Sequence, residues 1–183
     1  MHATAFIIGP TTGAGAALAD IARTLKFAAV LPYGGIEAAE SQAHKTPVCY
    51  FLFAPVVQIA SLGEIAEAIR FCPSRRVRFS PMIYFSDKTS VEAISACISL
   101  GFDDIITMPF TQQRVSERIG RQVGPNLTYF ETSSYFGPDR RDRVTAPNLP
   151  AENRLGGQFR RLEIVRSFEA GVSVLRDDSY AMV

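Results

Sequence analysis

The sequence predicts an α/β fold: a doubly wound parallel sheet of five strands alternating with five helices, followed by a C-terminal extension. Three observations carry this. Over residues 1–123, short apolar runs alternate with amphipathic stretches in a regular beat. One run, Val48–Phe53 (VCYFLF), is β-branched, aromatic and apolar throughout, as a strand covered on both faces must be. After Gly124-Pro125 the beat stops, and Pro, Ser, Thr and Tyr crowd the chain.

The elements follow in order. Ala3–Ile8 is a short buried strand, and alanine-rich Ala14–Lys26 an amphipathic helix. Phe27–Leu31 is the second strand and Gly35–Lys45 a more polar helix. After the central strand, Leu62–Phe71 repeats apolar residues at Ile65, Ala66 and Ile69 and is closed by Cys72-Pro73. Met82–Phe85 is the fourth strand, and Ser90–Leu100 is a helix stopped by Gly101. Ile105–Thr107 is the fifth strand and Thr111–Val123 the fifth helix, ended by Gly124-Pro125. Five strands and five helices in this alternation make a (βα)5, flavodoxin-like order, in which ligands bind at the carboxyl ends of the strands. In the extension, Phe159, Leu162, Val165, Phe168, Val172 and Leu175 recur every three or four residues, which predicts one amphipathic helix. The expected domains are 1–123 and the extension 124–183.

Composition excludes several function classes. Apolar residues at 47% and charged residues at 20% are the balance of a globular chain. A net charge of +1 supplies no overall field for nucleic acid or an anionic membrane. No apolar stretch reaches the ~18 residues of a transmembrane helix, and MHATAFIIGP lacks a basic leader. Cys49, Cys72 and Cys97 read as inert thiols of a reducing cytoplasm. Two histidines are too few for a His-based metal site, and no metal or cofactor is expected.

The chemistry-bearing phrase is Val91–Ile119, VEAISACISLGFDDIITMPFTQQRVSERI, preceded by PMIYFSD at Pro81–Asp87. Helix, Gly-x-Asp-Asp, strand, x-Pro-Phe, helix resembles the second half of a response-regulator receiver (CheY-like) domain. The resemblance covers about residues 3–123, and is specific in its second half and topological in its first. It implies an aspartate at the end of the third strand that takes a phosphoryl group. It also implies an acidic pair after the first strand that holds Mg²⁺, a Ser/Thr after the fourth, and a lysine before the proline of the fifth. Here the acidic positions fall on Gly9 and Pro10, the acceptor position on Phe53 or Ala54, and the lysine position on Met108. The family's switch aromatic falls on Ile105. Only Ser86 and Pro109 match, with a cis Met108-Pro109 bond expected as in the family. The chain therefore resembles a degenerate pseudo-receiver. Met108 is expected to fill, buried, the reach of a lysine that would have no charge to meet. Asp103 and Asp104 read as a solvated turn.

Other segments admit two readings each. GPTTGAGAAL (Gly9–Leu18) sits where phosphate cradles form, but Gly13-x-Gly15 lacks the third glycine and no lysine follows; a tightly packed loop is the alternative. Ser74–Arg78 (SRRVR) offers Arg75 and Arg76 to a phosphate, or is a solvated loop. Tyr135–Arg143 (YFGPDRRDR) is either a docking element or a segment folded onto its own body. Its aromatic-plus-arginine content suits a hot spot at Tyr135, Phe136, Gly137, Pro138, Asp139, Arg140 and Arg141. The stripe of Phe159, Leu162, Val165 and Phe168 requires cover from the body, a second subunit or a partner.

These readings lead to a phosphorylation-incompetent, cytoplasmic bacterial signalling protein, not an enzyme. It would act by protein–protein contact in a two-component or phosphorelay network, through the face of the fourth helix, fifth strand and fifth helix or through FGPDRR. Other signalling proteins and a homodimer are the expected partners, nucleic acid and membrane are not. The alternative is a small-molecule or cyclic-nucleotide sensor at the strand carboxyl ends.

Overall fold

The computed structural model describes residues 1–139 and 158–180. Strands β1 (Ala3–Ile8), β2 (Ala29–Pro32), β3 (Val48–Phe53), β4 (Met82–Ser86) and β5 (Asp104–Thr107) form one parallel sheet in the order β2-β1-β3-β4-β5. This is the flavodoxin-like winding the alternation predicts. Helices α1 (Ala14–Thr24), α2 (Ile36–Ala43), α3 (Gly63–Arg70), α5 (Val91–Ser99) and α6 (Gln112–Gly120) connect the strands. Between α3 and β4, Arg75–Arg78 forms a single helical turn, α4, where a loop was a reading of SRRVR.

Every residue of β3 is buried, and its two faces feed separate cores. Cys49, Phe51 and Phe53 pack with α2, α3 and α5. Val48, Tyr50 and Leu52 pack with α1 and α6. The helix ends follow local chemistry: Ser90 and Thr111 each accept a backbone N–H through the side chain at the starts of α5 and α6, from Ala93 and Arg114.

The extension corrects the expected helix. Residues 159–176 do not form one: Phe159–Ser167 is strand β8 and Gly171–Tyr180 is β9, a hairpin. With β6 (Asn126–Glu131) and β7 (Phe136–Pro138) they make a second, antiparallel sheet in the order β7-β6-β8-β9. The inward face of β8 alternates Leu162, Ile164, Arg166. The period is two, but its third inward position is an arginine, so an apolar count finds only the accidental three-and-four spacing. Gly171, at φ +79°, closes the turn; a Cβ there would also stand 2.9 Å from the Pro47 carbonyl oxygen.

The second sheet packs beneath the first. Phe79, Tyr129, Phe136, Leu162 and Ile164 form a shared core at the amino-terminal ends of β4 and β5. Phe168, in the hairpin turn, packs against the core under β1 and β3. Leu162 is thus covered within the chain, Phe159, Val165, Phe168 and Val172 are half-buried, and Leu175 is 54% exposed. Among the described residues no helix is long and apolar enough to cross a membrane.

Candidate functional site

At the carboxyl ends of the strands, where the receiver resemblance places phosphoryl chemistry, the backbone itself closes the space. Ala54 N–H donates to the Ile8 carbonyl at 2.8 Å, bringing the ends of β1 and β3 together. A Cβ built on Gly9 would stand 2.7 Å from the Ala54 Cβ, so any side chain at position 9 displaces its neighbour. A Cβ on Gly15 would lie 2.0 Å from the Pro10 carbonyl oxygen. Within Gly9–Leu18, the stretch from Gly9 to Gly13 is therefore a loop pressed onto the start of α1, which begins at Ala14.

The remaining positions are occupied by local bonds. Ser86 Oγ donates to the Lys88 carbonyl (2.7 Å) and accepts from the Lys88 N–H (3.1 Å). Lys88 Nζ donates to the Val57 carbonyl (2.9 Å), spanning the loops after β4 and β3. Phe53 and Ala54 are buried. Met108-Pro109 is cis. Met108 is 51% exposed, which corrects the expectation that it fills a buried reach: the side chain leaves the sheet edge into solvent. Ile105 is half-buried against the core under α5. Among the described residues no cluster of His, Cys, Asp or Glu is arranged to hold a metal ion.

The densest polar chemistry lies at the opposite end, and it corrects the reading of Asp103 and Asp104 as solvated. Both are buried, at 3% and 4% exposure. Asp103 Oδ2 accepts from Arg70 Nη2 (2.6 Å) and the Met82 N–H (2.8 Å). Its Oδ1 accepts from Arg166 Nη2 (2.9 Å) and the Tyr129 hydroxyl. Arg166 uses its other donors on Phe79 O (2.7 Å), Gln122 O (3.1 Å), Gln122 Oε1 (3.3 Å) and the Tyr129 oxygen. Arg70 holds Gly101 O, Arg78 O and Ser80 O. Every guanidinium N–H of both arginines has an acceptor, as buried charges require. Burial alone would raise the Asp103 carboxyl; Arg70 and Arg166, with the Tyr129 and Met82 donors, hold it well below the usual carboxylate range. Burial pushes the Tyr129 phenol upward, so it stays a donor. Asp104 faces the other way and pairs with Arg118 of α6.

The FGP part of Tyr135–Arg143 is engaged in the same joint. Phe136 is buried against Phe79, 5.3 Å between ring centroids, and Tyr129, 5.6 Å, with the Arg78 guanidinium 4.3 Å above its ring. A Cβ on Gly137 would stand 2.8 Å from the Gly101 Cα, so the two glycines touch back to back. Tyr135 OH donates to Pro138 O (3.3 Å), and Asp139 N–H to Thr128 O (2.8 Å). Arg140 and Arg141 lie outside the described residues. Leu162 is buried, Val165 and Phe168 are half-buried, and Phe159 stacks on Tyr180 at 4.8 Å. Of the two arginines offered to a phosphate, Arg76 donates to Ala43 O (2.9 Å) and Arg75 is exposed. Sequence reasoning missed Arg70, Tyr129 and Arg166. The one available signal was a lone arginine in the apolar run LEIVRS.

Among solved structures, a CheY-like protein (TadZ) from Pseudomonas aeruginosa PAO1 superposes with a TM-score of 0.51 at 15% identity, over 67% of this chain and 99% of that one. The fold is that of a CheY-like receiver. Also similar are the receiver domain of the sensor histidine kinase PA1611 from the same organism (18% identity, 66% and 96% covered, TM-score 0.46) and a response regulator from Thermotoga maritima (14%, 66% and 95%, 0.47). No protein-family model and no curated protein matches the chain. The receiver fold thus accounts for about two thirds of the chain, and the second sheet is additional to it.

Proposed function

We propose that the chain is a phosphorylation-incompetent receiver-like signalling protein, not an enzyme, that works by protein–protein contact in a bacterial two-component or phosphorelay network. The observation that carries this reading is the close approach of Gly9, one of the positions where the resemblance calls for the acidic pair, to Ala54, which with Phe53 is a candidate for the acceptor position. Mg²⁺ binding needs oxygen ligands, and phosphoryl transfer needs an acceptor carboxylate and charge neutralisation. Gly9, Pro10, Phe53 and Ala54 supply neither carboxylate ligands for the metal nor an acceptor for the phosphoryl group. The receiver fold supports a signalling setting, and the cytoplasm is the setting the three buried free cysteines suit.

With FGP engaged in the joint between the sheets, the surface left for partners is the face of α5, β5 and α6. The alternative, a small-molecule or cyclic-nucleotide sensor, draws no support from the strand ends, where Gly9 meets Ala54 and Lys88 bridges to Val57. The test is incubation with acetyl phosphate and Mg²⁺ followed by intact-mass measurement. No adduct is expected; a stable acyl phosphate on this chain overturns the reading.

A further inference from the structure

On the reading that the chain works through the α5–β5–α6 face, we propose that α6 is the recognition element and that its partner is an acidic segment of another protein. Arg114, Arg118 and Arg121 stand at i, i+4 and i+7, so they share one side of the helix. With Thr111, Gln113 and Glu117 they line an open hollow of about 420 Å³. The three guanidiniums are not equivalent. Arg118 is fixed: Nε and Nη2 hold Asp104, Nη2 also donates to Ile105 O (3.1 Å), and Nη1 makes no bond among the described residues. Arg114 and Arg121 are exposed and form no ion pair among the described residues. The single carboxylate of the hollow, Glu117, accepts from Gln113 Nε2 at 3.0 Å.

The row therefore presents two cations, unpaired among the described residues, flanking a guanidinium whose position is set by a nearly buried aspartate. An immobilised arginine loses less side-chain entropy on binding than a free one. The complement is a segment with carboxylates spaced along it, each taking a guanidinium in a paired, charge-assisted bond. Nucleic acid fits less well. The chain carries only +1 overall, so no wide basic field extends beyond the row to follow a phosphate backbone.

The test is fluorescence anisotropy with the full-length chain and a labelled Glu/Leu-alternating peptide at low salt. The wild type is expected to bind and to release the peptide as salt is raised. The double variant R114E/R121E is expected to weaken binding at least about tenfold. A control of equal charge change elsewhere, R75E/R76E, is expected to bind as the wild type does. Thermal melting of each variant checks that it folds, since all four side chains are exposed. No peptide binding, equal loss in both variants, or tighter binding of an oligothymidylate through the same arginines overturns the proposal. These outcomes are independent of the acetyl phosphate result, so failure of this inference and failure of the functional reading are told apart.

Discussion

Asp103, at the foot of the receiver sheet, and Arg166, on the third strand of the second sheet, form a fully buried ion pair at 2.9 Å that joins the two sheets. Neither charge reaches water, and neither sheet satisfies it alone. Asp103 carries Arg70 from its own body, and Arg166 needs Phe79 O and Gln122 from across the joint. The pair therefore ties the second sheet to the first through a charge that each side helps to satisfy.

Asp103→Asn leaves two buried guanidiniums without a counter-charge. A loss of about 3–5 kcal/mol is expected, because removing one partner strands the other. Urea unfolding followed by far-UV circular dichroism measures it. Arg161→Ala, on a half-buried pair with Glu163 in the same strand, is expected to cost under about 1 kcal/mol.

The same pair sets an acid limit. The folded Asp103 carboxyl is held below its unfolded value, so its contribution to stability is complete above the unfolded pKa of about 4. It declines as pH falls below that value toward the folded pKa. Urea midpoints at pH 7, 5 and 3 should fall steeply across the last interval in the wild type. In Asp103→Asn that part of the slope is absent.

Gly137→Ala places a methyl 2.4 Å from the Tyr135 hydroxyl and 2.8 Å from Gly101 Cα. The second neighbour is backbone and cannot yield, so a loss of about 1–3 kcal/mol is expected. Gly120→Ala, with nothing within 4 Å at the end of α6, is expected to be neutral or to gain up to about 1 kcal/mol. Differential melting of the two variants checks the contrast.

Restoring one carboxylate is not expected to restore phosphorylation. Ala54→Asp still lacks acidic ligands after β1 and a lysine before Pro109, so acetyl phosphate with Mg²⁺ should add no mass to it. The added side chain also enters the Gly9 contact, and a lower melting temperature than wild type should accompany the change.

The thiols provide an independent check on burial. Burial pushes Cys49 up to about 12, and burial with the Glu40 hydrogen bond pushes Cys72 up to about 11. A colorimetric thiol reagent at pH 8 should therefore react with native protein far more slowly than with urea-unfolded protein.

The receiver sheet was legible because its strands are short, mostly apolar runs alternating with amphipathic helices, and β1, β3 and β4 are buried throughout. Val48–Phe53 announces a central strand without reference to anything distant, and the Gly101–Phe110 phrase carries its own turn, strand and proline. The missing carboxylates were equally readable, since absence of Asp and Glu between Ser41 and Gly63 needs no coordinates. What the tertiary structure alone decided is the role of charged residues in the core. Arg166 broke the alternation of β8 and made a strand look like a helix; Asp103 looked solvated beside Asp104. Whether such a charge faces water or a counter-charge depends on partners 33 and 63 residues away, Arg70 and Arg166 around Asp103, which no local pattern can supply. Local periodicity thus determined the first sheet, while long-range electrostatic pairing determined where the second one sits.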